Sequence, residues 1–258
     1  MEVDFSWAFA ALCVLAFFAG FVDSVVGGGG LIQTPALLVL LPTVPIATVF
    51  GTNKIASVCG TSMALAQIAR NVAVPWRMLF PGAMVAALFA FLGARSVTFI
   101  DPAIMKPIIL LLLVGVAIFT FMRKDFGNLH TPKWPESTQR LISMGIGAVL
   151  GFYEGFFGPG TGSFLIFAFI GLLGFNFLTA SASAKVINIT TNLSATAWFA
   201  WSGNIIYQLA IPMAICNVAG AAVGARLAIK KGGGFLRVFF LLVMCALILR
   251  YAYDIFLK

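Results

Sequence analysis

Charge is what this sequence has least of. Only 9% of its 258 residues are Asp, Glu, Lys or Arg, where a soluble domain carries about 25%. With a mean hydropathy of +1.06, that excludes a water-soluble globule and points to an integral membrane protein. Histidine is nearly absent: His130 stands alone between Leu129 and Thr131, so no histidine-based metal site is expected. The cysteines Cys13, Cys59, Cys216 and Cys245 all lie in apolar runs and form no CxxC pair. A disulfide framework and a thiolate metal cluster are therefore not expected. There is no Ser/His/Asp grouping, no HExxH and no Walker-type lysine after the glycines, so neither an enzyme nor a bound cofactor is expected. The net charge of +8 is not a nucleic-acid footprint, because the basic residues sit in short connections between apolar runs, as a positive-inside bias requires. Met1-Glu2-Val3-Asp4 carries acids and no basic stretch. That argues against a cleaved signal peptide and for a first span starting away from the cytoplasm.

What is present is hydrophobic length. A hydrocarbon core needs about 20 apolar residues per helix. Runs near 5–25, 48–69, 77–95, 103–122, 138–157, 181–201, 205–226 and 235–255 satisfy this. Runs near 31–41 and 163–174 are too short to cross and read as half-helices. The runs are continuous rather than alternating, which excludes a β-barrel. Arg70 and Arg77, then Arg123, Lys124, Lys133 and Arg140, then Arg226, Lys230, Lys231 and Arg237, mark three connections as cytoplasmic. The connections 42–47, 174–180 and 202–204 lack Lys and Arg and are expected to face outward.

The chain also repeats itself. Gly20-Phe21-Val22-Asp23 leads into Gly27-Gly28-Gly29-Gly30, and 131 positions later Gly151-Phe152-Tyr153-Glu154 leads into Gly158-Pro159-Gly160-Thr161-Gly162. The same offset carries Lys54 onto Lys185, Pro81 onto Pro212 and Gly93-Ala94-Arg95 onto Gly224-Ala225-Arg226. Duplicated halves with glycine-interrupted segments are the sequence sign of a secondary transporter and its binding site. Each half has about five segments, an odd number, so the second enters the membrane inverted. The expected fold is an all-α, polytopic integral membrane protein of two inverted repeats with glycine-broken half-helices. Residues 1–122 form the first repeat, 123–137 a cytoplasmic linker, and 138–258 the second.

Four consecutive glycines cannot sit stably inside a helix, since each costs about 1 kcal/mol relative to Ala. Unwound backbone at membrane depth needs protein or a wet cavity around it. The half-helix that follows begins with free N–H groups and the positive end of its dipole, a ready anion site. Gly27, Gly28, Gly29 and Gly30 supply one such site. Gly158, Gly160, Thr161, Gly162 and Ser163 supply the other, with two hydroxyls added. Close helix packing would also explain isolated glycines, but not two clusters in register, each before a short segment.

Lys54 and Lys185 lie inside apolar helices, where a lysine costs about 2.5–3.5 kcal/mol. Snorkelling explains one such residue; two at one offset point to a site. Asn53 and Ser57 flank the first, Asn188, Thr191 and Asn192 follow the second, and helical spacing makes them a polar stripe. Asp23 and Glu154 precede the glycines by four residues; either they pair with a lysine or brace the bent backbone through hydrogen bonds, or they take up a proton and couple transport. Arg95 and Arg226 read as interface anchors, and Gln67, Trp198 and Trp201 as lining for a route in.

The stretches Gly20–Gly30, Thr52-Asn53-Lys54 and Gly151–Gly160 together resemble the TauE/SafE family, over nearly the whole chain. The second half departs from the first in carrying Ser183-Ala184-Lys185 for Thr-Asn-Lys. The resemblance implies a multi-pass transporter of the bacterial inner membrane that exports sulfite or an organosulfonate such as sulfoacetate, by alternating access around a midplane site. The expected partners are a small anion and the bilayer, with no nucleic acid and with a homodimer among the assemblies open to the chain. The competing readings are a passive small-anion channel, a carrier of small carboxylates and a membrane scaffold subunit.

Overall fold

The computed structural model describes residues 7–122 and 131–231, with Leu249 and Tyr253 as isolated positions. The expected span at 235–255, and with it Arg123, Lys124, His130, Arg237 and Cys245, lies outside the described residues. Those residues hold nine helices and no strand: α1 (Trp7–Val26), α2 (Gly30–Leu40), α3 (Ile46–Ile68), α4 (Trp76–Val97), α5 (Pro102–Met122), α6 (Glu136–Phe156), α7 (Thr161–Leu173), α8 (Phe177–Trp201) and α9 (Tyr207–Lys231). The fold is all-α. Local chemistry sets several helix starts. Pro45, Pro75 and Pro135 immediately precede α3, α4 and α6, where a fixed φ suits the entering chain. Asn176 caps α8 by accepting from the Thr179 amide at 2.9 Å.

Helices α1, α4 and α9 are long and apolar enough to cross a membrane, and the chain is a membrane protein. Helices α3, α6 and α8 are as long but carry buried polar residues, so their apolar character is diluted. Small residues draw the helices together. A methyl at Gly20 would strike the Asn217 carbonyl, and one at Gly151 the Ala86 carbonyl. Gly224 likewise abuts the Phe21 carbonyl, and Gly93 that of Phe152. Such close approach is how membrane helices gain packing energy. Each of these pairs maps onto the other at the 131-residue offset. The larger contacts follow suit: α1 packs on α9 and α4 on α6, α3 packs on α9 and α8 on α4, while α3 and α8 meet each other.

The two ends of the bundle differ in charge. Arg70 and Arg226 meet at one end, with Gln67, Asn71 and Ile229. At the other, the Thr48 hydroxyl donates to Asn204 Oδ1 at 3.1 Å and the Ile206 amide to Thr52 Oγ1 at 3.0 Å. The connection after α7 corrects the sequence reading. It was expected to face outward with 202–204, yet it sits at the basic end. The Thr131 amide donates to the Gly174 carbonyl at 2.9 Å, the Lys133 amide to Leu173 at 3.1 Å and the Trp134 indole to Leu172 at 3.0 Å. Helices α6 and α7 thus form a helical hairpin: the chain runs along α6, breaks at the glycines and returns along α7 to the end it left. Charge counting could not place a connection that carries no charge.

Candidate functional site

Both helix breaks occur where the backbone leaves the region open to ordinary residues. Gly27 ends α1 at φ 77°, and Gly160 caps α7 at φ 86°; both values are comfortable for glycine and strained for a side-chain-bearing residue. The two breaks lie against one another. A methyl on Gly162 would collide with the Gly27 carbonyl, and one on Gly30 would press on Pro159 Cα at 3.1 Å. The Ser163 hydroxyl donates to the Val26 carbonyl at 2.8 Å, which satisfies a carbonyl freed by the break. The Tyr153 hydroxyl does the same for the Pro159 carbonyl at 2.7 Å.

Between the breaks lies one polar cavity. Gly27, Gly29 and Gly30 line it from the first half and Gly158, Gly160 and Gly162 from the second. Asn53 and Ser57 of α3 and Asn188 and Asn192 of α8 form its walls, with the acids Asp23 and Glu154. Its free space, about 20 Å3 measured to the centre of a water-sized sphere, admits a water and not an organic anion. Cargo must open it.

Gly28, Lys54, Thr161, Ser163 and Lys185 sit behind this lining. The Thr161 hydroxyl donates to the Gly158 carbonyl at 2.7 Å. The lysines reach across the bundle. Lys54, 1% exposed, forms an ion pair with the carboxylate of Glu154 and donates to its backbone carbonyl. Lys185, 3% exposed, donates to the Asp23 backbone carbonyl at 3.1 Å. Each lysine therefore holds the α-helix end, at the break, of the other half. Asp23 receives the Gly29 amide at 3.3 Å and the Thr61 hydroxyl at 3.0 Å on its two carboxylate oxygens. Asn188 Nδ2 approaches Glu154 Oε2 at 3.5 Å.

Three lining residues were missed from sequence: Gln33, Thr61 and Asn217. Thr61 carried a signal, since it lies four residues after Ser57 and 131 before Asn192. Gln33 and Asn217 did not, as their counterparts at that offset are Phe164 and Ala86. Asn217 Nδ2 donates to Gln33 Oε1 at 2.8 Å. Gln33 Nε2, Asn53 Oδ1 and Asn192 Oδ1 are buried without a partner among the described residues. Native structures rarely leave such groups unsatisfied unless something else meets them. Arg95 and Trp198 form a separate feature: the guanidinium lies 5.8 Å from the indole centroid, within cation–π range.

The chemistry follows from the charge count. Two lysines and two acids leave the cluster neutral, so an anion entering it would be drawn by oriented amides and helix ends rather than by net charge. Among the described residues no cluster of His, Cys, Asp and Glu could hold a metal.

Comparison with known proteins agrees with a transporter. Residues 12–251 match the family described as "Sulfite exporter TauE/SafE". The chain is 34% identical over 245 residues to "Probable membrane transporter protein ORF9" of Sinorhizobium sp, covering 95% of this chain and 92% of that one. It is 34% identical over 251 residues to a "Probable membrane transporter protein" of Haemophilus influenzae, covering 95% and 94%. It is 30% identical over 255 residues to "Probable membrane transporter protein YfcA" of Escherichia coli K12, covering 94% and 89%. No solved structure matches.

Proposed function

The chain belongs to the TauE/SafE family of membrane transporters, and we propose that it is a secondary transporter exporting a small sulfur-containing anion, sulfite or an organosulfonate, across the bacterial inner membrane. The observation that carries this reading is the meeting of two glycine breaks at one polar cavity inside an apolar bundle. The halves 1–122 and 138–258 act as inverted repeats joined by the linker 123–137, and they rock around the cavity to expose it to each side in turn. The helix starts at Gly30 and Thr161, the spare amide of Gln33 and the side chains of Asn53, Ser57, Asn188 and Asn192 hold the anion. Lys54 and Lys185 keep the breaks in place and supply positive potential from behind.

The confined cavity favours a carrier over an open channel, which needs a continuous water path. The family description supports the sulfur cargo, and a small carboxylate is the competing cargo. Counterflow in proteoliposomes tests the reading with sulfite, sulfoacetate, sulfate and a matched carboxylate. Saturable exchange selective for sulfite or sulfoacetate, lost in Lys185→Glu protein that still elutes as a folded species, is the expected result. Preference for the carboxylate rejects the sulfur assignment, and flux without saturation or counterflow rejects the carrier.

A further inference from the structure

The duplicated acids have diverged by one methylene, and the difference reorganises the site. In one half, the Lys54 ammonium meets both the carboxylate and the backbone carbonyl of Glu154. At the equivalent place, the Lys185 ammonium reaches the Asp23 backbone carbonyl, and among the described residues the Asp23 carboxylate has no ion-pair partner. That carboxylate is half-buried and lines the cavity, held by Thr61 and the Gly29 amide. Both acids line the cavity, but Glu154 is tied there by a lysine and Asp23 is not. In the same cavity, Gln33 Nε2 and Asn53 Oδ1 are buried without partners among the described residues, which independently marks the space as made for a polar ligand.

The ionisable groups around Asp23 are Lys185 from α8, Glu154 from α6 and Lys54 from α3; α2 and α9 offer the neutral amides of Gln33 and Asn217. With both acids ionised and both lysines charged the cluster is neutral. An arriving anion adds uncompensated negative charge to this buried site, where repulsion from a carboxylate is less screened than in water. A proton on Asp23 offsets one unit of that charge and turns its carboxylate from an acceptor into a donor toward the anion.

We propose that Asp23 is the proton site of this transporter, so that one proton binds and moves with each anion. The inference rests on the transporter reading above. Because coupling is reciprocal, the anion raises the affinity of Asp23 for its proton by the same factor that the proton raises the affinity for the anion. For outward flux the proton leaves with the cargo, and the cargo's own gradient drives both.

The test uses sulfoacetate as probe, since both its acidic groups stay ionised over roughly pH 6–9 and any carried proton must ride on the protein. The apparent affinity in counterflow, with equal pH on both sides, is expected to fall as pH rises, by up to about tenfold per unit for one linked proton. In Asp23→Asn that dependence goes flat. Net efflux from weakly buffered vesicles moves a trapped pH dye in the wild type and not in Asp23→Asn. Counterflow independent of pH in the wild type, or a slope that persists in Asp23→Asn, overturns the inference. So does a slope lost in Glu154→Gln and retained in Asp23→Asn, which moves the proton to Glu154. Absence of counterflow with sulfite, sulfoacetate, sulfate and the carboxylate alike, in folded protein, instead overturns the transporter reading itself.

Discussion

Replacing Lys54 with Met removes the charge while nearly conserving the side chain's length. Glu154 then remains as a carboxylate whose side chain is 5% exposed, with its cation gone. Breaking a buried ion pair from one side destabilises by roughly 3–5 kcal/mol, because the surviving charge has neither water nor partner. At about 2–4 °C per kcal/mol for a chain of this size, the midpoint of thermal unfolding in detergent should fall by roughly 6–20 °C. Exchanging both partners, Lys54→Met with Glu154→Gln, removes the orphan as well as the pair and should recover most of that loss, since well-packed neutral replacements of buried pairs are often neutral. Scanning fluorimetry of wild type, both single variants and the double variant completes a double-mutant cycle. A Lys54→Met protein melting within about 2 °C of the wild type, or a double variant as unstable as the worse single one, refutes the assignment of Lys54–Glu154 as the tie between the two halves.

Two further outcomes check the geometry. Gly162→Ala drives a methyl into the Gly27 carbonyl and should cost about 1–3 kcal/mol, whereas Gly145→Ala in α6 meets nothing within 4 Å and should stabilise by about 0.5–1 kcal/mol; a thermal melt that ranks them otherwise contradicts the contact between the breaks. In a cysteine-free background, Thr43→Cys should react with an impermeant maleimide on intact cells, while Asn71→Cys and Lys133→Cys should react only after lysis; shared labelling of Thr43 and Asn71 from one side would reject the placement of the bundle ends.

The half-helices were legible because glycine runs in an apolar sequence have few physical explanations. Asp23, Glu154, Lys54 and Lys185 were legible as a set because duplication placed each twice. Which acid each lysine joins was not. Periodicity reports which face of its own helix a residue occupies, and says nothing of a partner 100 positions away, as Glu154 is from Lys54. Gln33 and Asn217 stayed hidden for the opposite reason: the repeat made matched positions conspicuous, and these two have apolar counterparts. The connection 174–180 went to the wrong end because nothing in its composition distinguishes a crossing from a hairpin; the bonds from Thr131 and Lys133 to α7 do.

The contact between the two breaks also sets an order of events during synthesis. The Val26 carbonyl is satisfied by Ser163, and Gly27 rests against Gly162, residues made long after it. At about 5–20 residues per second, roughly 7–27 seconds pass between the emergence of one tip and the other. Through that interval the first hairpin holds an open backbone that lipid cannot satisfy. The nascent first half must therefore be sheltered, at the insertion machinery or in a wet interfacial position, until the second hairpin arrives to complete it. A first half expressed alone lacks that partner, and the quality-control proteases of the membrane are its natural fate.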